Sequence, residues 1–278
     1  MDKAKGTPGR CIAMANPFGK ESELYIKTRS RNGTTILEDS FFTAPFKVAK
    51  PFHGDEKGVL GIMVMVASAG IMEGDRYRIN VELGEGARTA LYGQSYNKIH
   101  RMRGGHARQF NQFFLEKEAF LDYAQKPTIP FAHSSFSSVS ECHLKEGSAF
   151  LYSEILACGR EKSGERFEFK EYRNCNKVYY KGELIFLDNQ LLVPGFQAIE
   201  GIGFFEGYTH QASLAYFCDR LDYNLLERFY EILKDVSDID FGLTKTEKFG
   251  IVVRILGNGG DYLERIFSCL RREIYKIL

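Results

Sequence analysis

The sequence predicts a mainly β protein assembled from repeated strand, turn and strand units. A short phrase recurs as Leu83-Gly84-Glu85-Gly86-Ala87, Leu115-Glu116-Lys117-Glu118-Ala119 and Leu144-Lys145-Glu146-Gly147-Ser148, at spacings of 32 and 29 residues, which marks a repeating unit. Each copy follows an apolar/polar alternation, as in Tyr77, Ile79, Val81 and Leu83, and precedes another, as in Thr89 and Leu91, Leu121 and Tyr123, or Phe150 and Tyr152. A period of two belongs to strands with one buried face. Helical periodicity comes only late in the chain. Stacked units of this kind bury a continuous core and leave long flat faces, better suited to partners than to small molecules.

Residues 1–21 lack periodicity and read as a mobile arm, leaving 22–278 as a single domain. Strands are expected at 23–30 and 34–38, joined at Asn32-Gly33, a strong hairpin signal. Pro45-Phe46 and Pro51-Phe52 frame an edge or corner. Further strands follow at 61–67, 75–83, 88–93, 108–115, 120–124, 137–144, 149–157, 165–172, 177–180 and 183–187, with turns at Gly164-Glu165 and Gly182-Glu183. Within the repeated phrase, Gly84, Gly86 and Gly147 supply positive φ, so the middle copy, with Glu116 and Glu118, is expected to turn by another geometry. Leu225, Leu226, Phe229, Ile232 and Leu233 share one face of a helix at about 222–235, with Asp222 able to cap it. Leu263, Ile266, Phe267, Leu270, Ile274 and Ile277 do the same for a second at about 260–277, and strands at 241–244 and 250–256 lie between them.

Composition narrows the function classes. Lys and Arg number 37 against 36 Asp and Glu, a net charge of +1, which gives no whole-molecule pull toward nucleic acid or an anionic membrane. The longest apolar run, from Leu60 to Met72, is too short to span a bilayer, and the first residues show no signal-peptide core. Cys11, Cys142, Cys158, Cys175, Cys218 and Cys269 are scattered singly and read as reduced thiols of a cytoplasmic protein. No dinucleotide fingerprint, phosphate loop, nucleophile elbow or paired-histidine metal motif is present. Cys142 and His143 are neighbours, but on a strand they face opposite ways. No catalytic residue is assigned.

Strand parity gives one positive signal. Counting in twos back from Leu83 leads through Val81, Ile79 and Tyr77 to Asp75, and forward from Ser148 through Phe150 and Tyr152 to Glu154. Both acids therefore end an apolar face. A lone ionised carboxylate in a dry core is prohibitively unfavourable, so these side chains meet water, a cation such as Arg160 or Arg101, or a buried polar passage. Gln125 stands at the place equivalent to Glu154 in the preceding repeat, which favours a polar lining.

The chain resembles the urease accessory proteins called UreD or UreH from about residue 22 to its end. The resemblance rests on Glu73-Gly74-Asp75, Leu83-Gly84-Glu85-Gly86-Ala87, Gln94-Ser95-Tyr96-Asn97-Lys98-Ile99-His100-Arg101 and Thr128-Ile129-Pro130-Phe131. It continues through Tyr152-Ser153-Glu154-Ile155, Gly159-Arg160, Gly164-Glu165-Arg166-Phe167, Gly207-Tyr208-Thr209-His210 and Val253-Arg254-Ile255-Leu256-Gly257. Two departures stand out: Glu73 where that family more often has Gly, and His100 where it commonly has an aromatic residue.

The resemblance implies a non-enzymatic scaffold whose stacked β-sheets resemble an irregular β-helix. It implies binding to UreF, through UreF to the GTPase UreG, and docking on urease apoprotein to deliver nickel, with no tightly bound cofactor and nickel only in transit. A water-filled interior channel would then use Asp75 and Glu154 as transient metal ligands, with Gln125 and Asn97 as polar lining and Lys98 as a structural ion-pair partner. Oxygen donors suit such a role because they hold nickel weakly enough to release it. The competing expectation is a β-solenoid enzyme acting on polysaccharide, with Asp75, Asp122 or Glu154 as acid and base; the absence of Trp argues against it. An adaptor unrelated to metal is a third.

Overall fold

The computed structural model describes residues 21–54 and 58–278; Cys11 and the expected arm lie outside them, except Glu21, which already belongs to the first strand. The chain opens with a hairpin of β1 (Glu21–Arg31) and β2 (Thr34–Phe42), closed by Asn32 and Gly33 at φ of 53° and 77°, the turn geometry an Asn-Gly pair favours. Two short edge segments, β3 (Phe46–Val48) and β4 (Phe52–His53), flank β5 (Val59–Val66).

Stacked coils follow. The first is β6 (Arg76–Leu83), β7 (Arg88–Gly93) and β8 (Asn97–Ile99); the second is β9 (Ala107–Leu115), β10 (Phe120–Ala124) and β11 (Thr128–Pro130). The third begins with β12 (Ser135–Leu144) and β13 (Ala149–Ala157), and β14 (Glu171–Tyr180) stacks on β12 before turning back as β15 (Glu183–Leu192). Corresponding strands pair in parallel, β6 with β9, β9 with β12, β7 with β10 and β10 with β13. A strand, a tight corner and a strand thus belong to two facing sheets rather than to one hairpin. The first sheet runs β15-β14-β12-β9-β6-β1-β2; β16 (His210–Cys218), β17 (Ile239–Lys245) and β18 (Gly250–Gly257) extend the second to β17-β18-β16-β13-β10-β7-β5-β3.

The repeated phrase forms the corners, and its middle copy uses the same turn as the others. Gly86, Glu118 and Gly147 occupy equivalent positions at φ of 65°, 57° and 69°, which corrects the expectation of a separate geometry around Glu116 and Glu118. A glutamate holds this conformation because its surroundings fix it. Its N–H donates to Glu146 O (3.1 Å), while its carboxylate receives both Arg220 nitrogens, at 3.0 and 2.6 Å. Corners also bond to one another: Gly86 N–H donates to Lys117 O and Glu116 N–H to Leu83 O.

Period-two burial makes one core between the sheets, around Ile26, Val81, Leu83, Phe113, Leu121 and Phe150. A second lies on the other face of the second sheet. There, α1 (Asn224–Leu233) and α2 (Gly260–Tyr275) bring Leu225, Phe229, Leu263, Phe267 and Leu270 onto Leu151, Leu214, Ile251 and Val253. Each such side chain contributes about 1.5–3 kcal/mol on burial.

Two further expectations are corrected. Residues 165–172 are not a strand: a 3-10 turn at Glu161–Ser163, Gly164 at φ 81° and Phe167 at φ 54° break the extended backbone, and regular pairing starts at Glu171. Buried Phe167 and Phe169 imitate strand alternation there. Conversely, β16 went unanticipated because residues 212–217 are buried on both faces and show no alternation. Asp222 accepts the Asn224 N–H (3.0 Å) just ahead of α1.

Candidate functional site

Register on the first sheet lines up polar side chains inside the molecule. Gln109, Ser138 and Asn174 share one inward row across β9, β12 and β14, and Asn111, Ser140 and Asn176 share the next. Buried polar groups are tolerated when they bond to each other, and these do. Gln109 donates to Asn111 (3.0 Å), Asn111 to Ser140 (2.9 Å), Ser138 to Asn174 (2.6 Å), and both Asn174 and Asn176 to the Tyr152 hydroxyl (3.3 and 2.9 Å). The amide oxygen of Asn176 is buried with no partner. Ser140, Tyr152 and Asn176 border a pocket of about 10 Å³, close to room for one water.

Glu154 adjoins this string from β13. It is half-buried, accepts from Asn174, and lies beside the Asp188–Arg254 ion pair (2.7 Å), since Ser213 of β16 separates it in register from Arg254. Burial pushes its carboxyl up to about 7; Asp188 pushes the same way, while Tyr152, Arg254 and Asn174 oppose. Gln125, whose N–H reaches Ser153 O (3.4 Å), lies level with it.

Gln125 and Asn97 come together around a cavity of about 240 Å³, walled by Leu24, Phe46, Ile79 and Leu91 and with Tyr77, Gln109 and Tyr123 among its lining. Lys98 is exposed at this cavity. Asp75 is elsewhere. It immediately precedes β6, accepts from Met72 N–H (2.7 Å) and the Tyr77 hydroxyl (3.0 Å), and borders an open depression of about 320 Å³ with Glu73, Arg76, His106 and Arg108. Tyr77 is the link, its ring in the cavity and its hydroxyl on Asp75.

Asn97, Gln125 and Glu154 thus border the interior, Asp75 meets it through Tyr77, and reading the sequence missed Gln109, Asn111, Ser138, Ser140, Asn174 and Asn176. Parity held the signal: counting back from Leu144 through Cys142 reaches Ser140 and Ser138 on the buried face. Asp122 does not join this group. It is fully buried on the opposite face of β10 from Tyr123, bound to Arg271 and to the Tyr275 hydroxyl (3.0 Å), so it and Glu154 do not form an acid/base pair. Among the described residues, no three His, Cys, Asp or Glu side chains converge on a metal position. The interior offers amide, hydroxyl and single-carboxylate oxygens instead.

Fold and interior together define a class: a two-sheet β-solenoid whose facing sheets enclose a hydrogen-bonded polar layer. Residues 20–277 match the family model described as UreD urease accessory protein, and the chain belongs to that family. It is similar to the urease accessory protein UreD of Acetivibrio thermocellus, 58% identical over 262 residues that cover 94% of this chain and 100% of the relative. It is also similar to UreD of Flavobacterium johnsoniae (33% identical; 91% and 92% covered) and to UreH of Helicobacter hepaticus (34%; 88% and 95%). No helix among the described residues is long and apolar enough to cross a membrane.

Proposed function

We propose that this urease accessory protein is a non-enzymatic scaffold of urease maturation that conducts nickel to the apoprotein. It binds a UreF-like protein and, through it, a UreG-like GTPase, in the cytoplasm. The observation that carries the reading is a pair of adjoining hydrogen-bonded groups of oxygen-bearing side chains, Gln109, Asn111 and Ser140 in one and Ser138, Asn174, Asn176, Tyr152 and Glu154 in the other, which meet where Ser140 and Asn176 stand side by side in register, with the Asn176 oxygen unclaimed. Neutral oxygens plus one carboxylate interact with a hydrated dication without trapping it, unlike a Cys or His cage. Asp75 meets this interior through Tyr77, and Asn97 and Gln125 line the cavity beside it.

The test is activation of the client urease by the D75L/E154L protein, co-expressed with the other maturation proteins. Lower nickel content and activity are expected, with the accessory complex still co-purifying. Normal activation by the double variant would sink the conduit.

A further inference from the structure

The outer face of the first sheet is not covered by either helix, and one row of it is strongly basic. Side chains alternate, so the residues flanking the inward Tyr77, Gln109 and Asn174 point outward. Register puts Arg76, Arg108, Ser137 and Arg173 in line across β6, β9, β12 and β14. Strands about 4.8 Å apart make this row about 14 Å long, the length of four or five extended residues.

These three arginines are exposed, and none of them makes an ion pair among the described residues; Arg108 only donates to the neighbouring His106 ring (2.5 Å). Some other surface arginines are matched, Arg78 with Glu21 (3.0 Å), Arg220 with Glu118 and Arg160 with Glu165, and those elsewhere without an ion pair among the described residues, such as Arg31 and Arg265, do not stand in a register row of three. Exposed Arg103 and Lys170 add charge at the same end of the strands, where the Lys170 ammonium donates to Arg103 O (3.2 Å). Most of the nearby acids are already engaged; Glu171, outward on β14 two residues from Arg173, is the one on these strands left open among the described residues. Glu73 accepts the N–H groups of Arg103 (2.8 Å), Gly104 (3.3 Å) and Gly105 (2.6 Å), Asp75 is held by Met72 and Tyr77, and Glu21 holds Arg78. Three arginines, with Arg103 and Lys170 beside them, thus face one open carboxylate, which leaves the strip net positive, and it lies on paired strands. Immediately alongside run Phe110 and Val139, half-buried on the same face.

We infer that the Arg76–Arg108–Arg173 row is a docking strip for an acidic protein segment that lies extended across the strands. Guanidinium groups bind carboxylates in pairs of parallel hydrogen bonds, and a fixed spacing selects a segment with matching acid spacing while steering its approach. A protein fits better than a nucleic acid because the chain's net charge is only +1, and because Phe110 and Val139 offer apolar contact beside the strip. The inference is independent of the nickel conduit.

The experiment measures binding of fluorescein-labelled dodecaglutamate to the full chain by fluorescence anisotropy, with oligo-dT of the same length as the alternative probe. Binding that salt weakens, and that falls about tenfold or more in R76E/R108E/R173E, is expected. A control reversal at Arg31, Arg265 and Arg272 should leave it within about twofold. The reversed strip should instead gain binding to dodecalysine, and a cooperative thermal melt like that of the parent shows that the variant is folded. Unchanged dodecaglutamate binding in the strip variant overturns the inference, and so does tighter binding of oligo-dT than of dodecaglutamate.

Discussion

Glu118 sits in a backbone conformation that Gly86 and Gly147 reach without steric penalty, and the neighbouring corner is built around it. A Cβ on Gly147 would collide with the Glu118 carboxylate, and its φ of 69° is itself strained for an L side chain. Gly147→Ala should therefore lower stability by about 1–2 kcal/mol, read from urea denaturation; an unchanged midpoint would show that the corners are looser than they look. Two titrating residues set opposite limits on pH. Glu154 holds its proton up to about 7 when folded, against an ordinary value of 4.5, so its contribution is complete below about 4.5 and fades as pH rises through 7. E154Q should remove that decline. His210 is the reverse case, burial pulling it down to about 4 while its Nδ1 accepts from Gly259 N–H (3.2 Å). Its contribution is present above about 6.5 and is lost as pH falls toward 4, a slope that thermal melts of H210N should lack.

At the scale of elements, the C-terminal helix α2 is fixed by one buried ion pair. Asp122 is wholly enclosed, Arg271 nearly so, and Ser153 and Tyr275 complete the group. Removing one member of such a pair strands the other charge, which typically costs about 3–5 kcal/mol. R271M is expected to show that loss in chemical denaturation, and the paired change D122N/R271M should recover part of it; additive losses would contradict the coupling. None of this was legible in the sequence, where Asp122 stood out only as a candidate acid or base of the polysaccharide-acting alternative. Most strands were legible, since Tyr77, Ile79, Val81 and Leu83 have only one buried face. What the alternation could not reveal was pairing direction: identical patterns suit a hairpin or a stack, and only register distinguishes them. The polar interior was half legible, Glu154 standing out by its charge while Ser138, Ser140, Asn174 and Asn176 passed as ordinary strand residues.

For the whole molecule, exposure of apolar groups bears on partners. Phe196 and Ile202, 92% and 95% exposed, lie on the long connection after β15, whose Leu184, Leu187 and Leu191 are also exposed. Exposed apolar groups of this size favour association, so the isolated chain should aggregate and become soluble when co-expressed with its UreF-like partner, across an interface of at least about 1,000 Å². Monodisperse protein with no affinity for that partner in gel filtration would count against the scaffold. The five described cysteines, Cys142, Cys158, Cys175, Cys218 and Cys269, are free thiols, and labelling under denaturing, non-reducing conditions should find at least that number reactive.

The hairpins at both ends of the first sheet have one more effect. A stack of parallel coils could in principle continue from molecule to molecule, each last coil templating the next, as in a fibril. Here β2 and β15 each reverse direction against their neighbours, so neither margin offers a parallel strand in the register that another stack requires. The turn at Lys181 and Gly182, with φ of 50° and 87°, is what folds β15 back over β14. Gly182→Val should disfavour that reversal and uncover β14, and light scattering with growing, thioflavin-positive filaments is the expected outcome. In this view the two reversals are terminators, and they keep a self-propagating architecture finite.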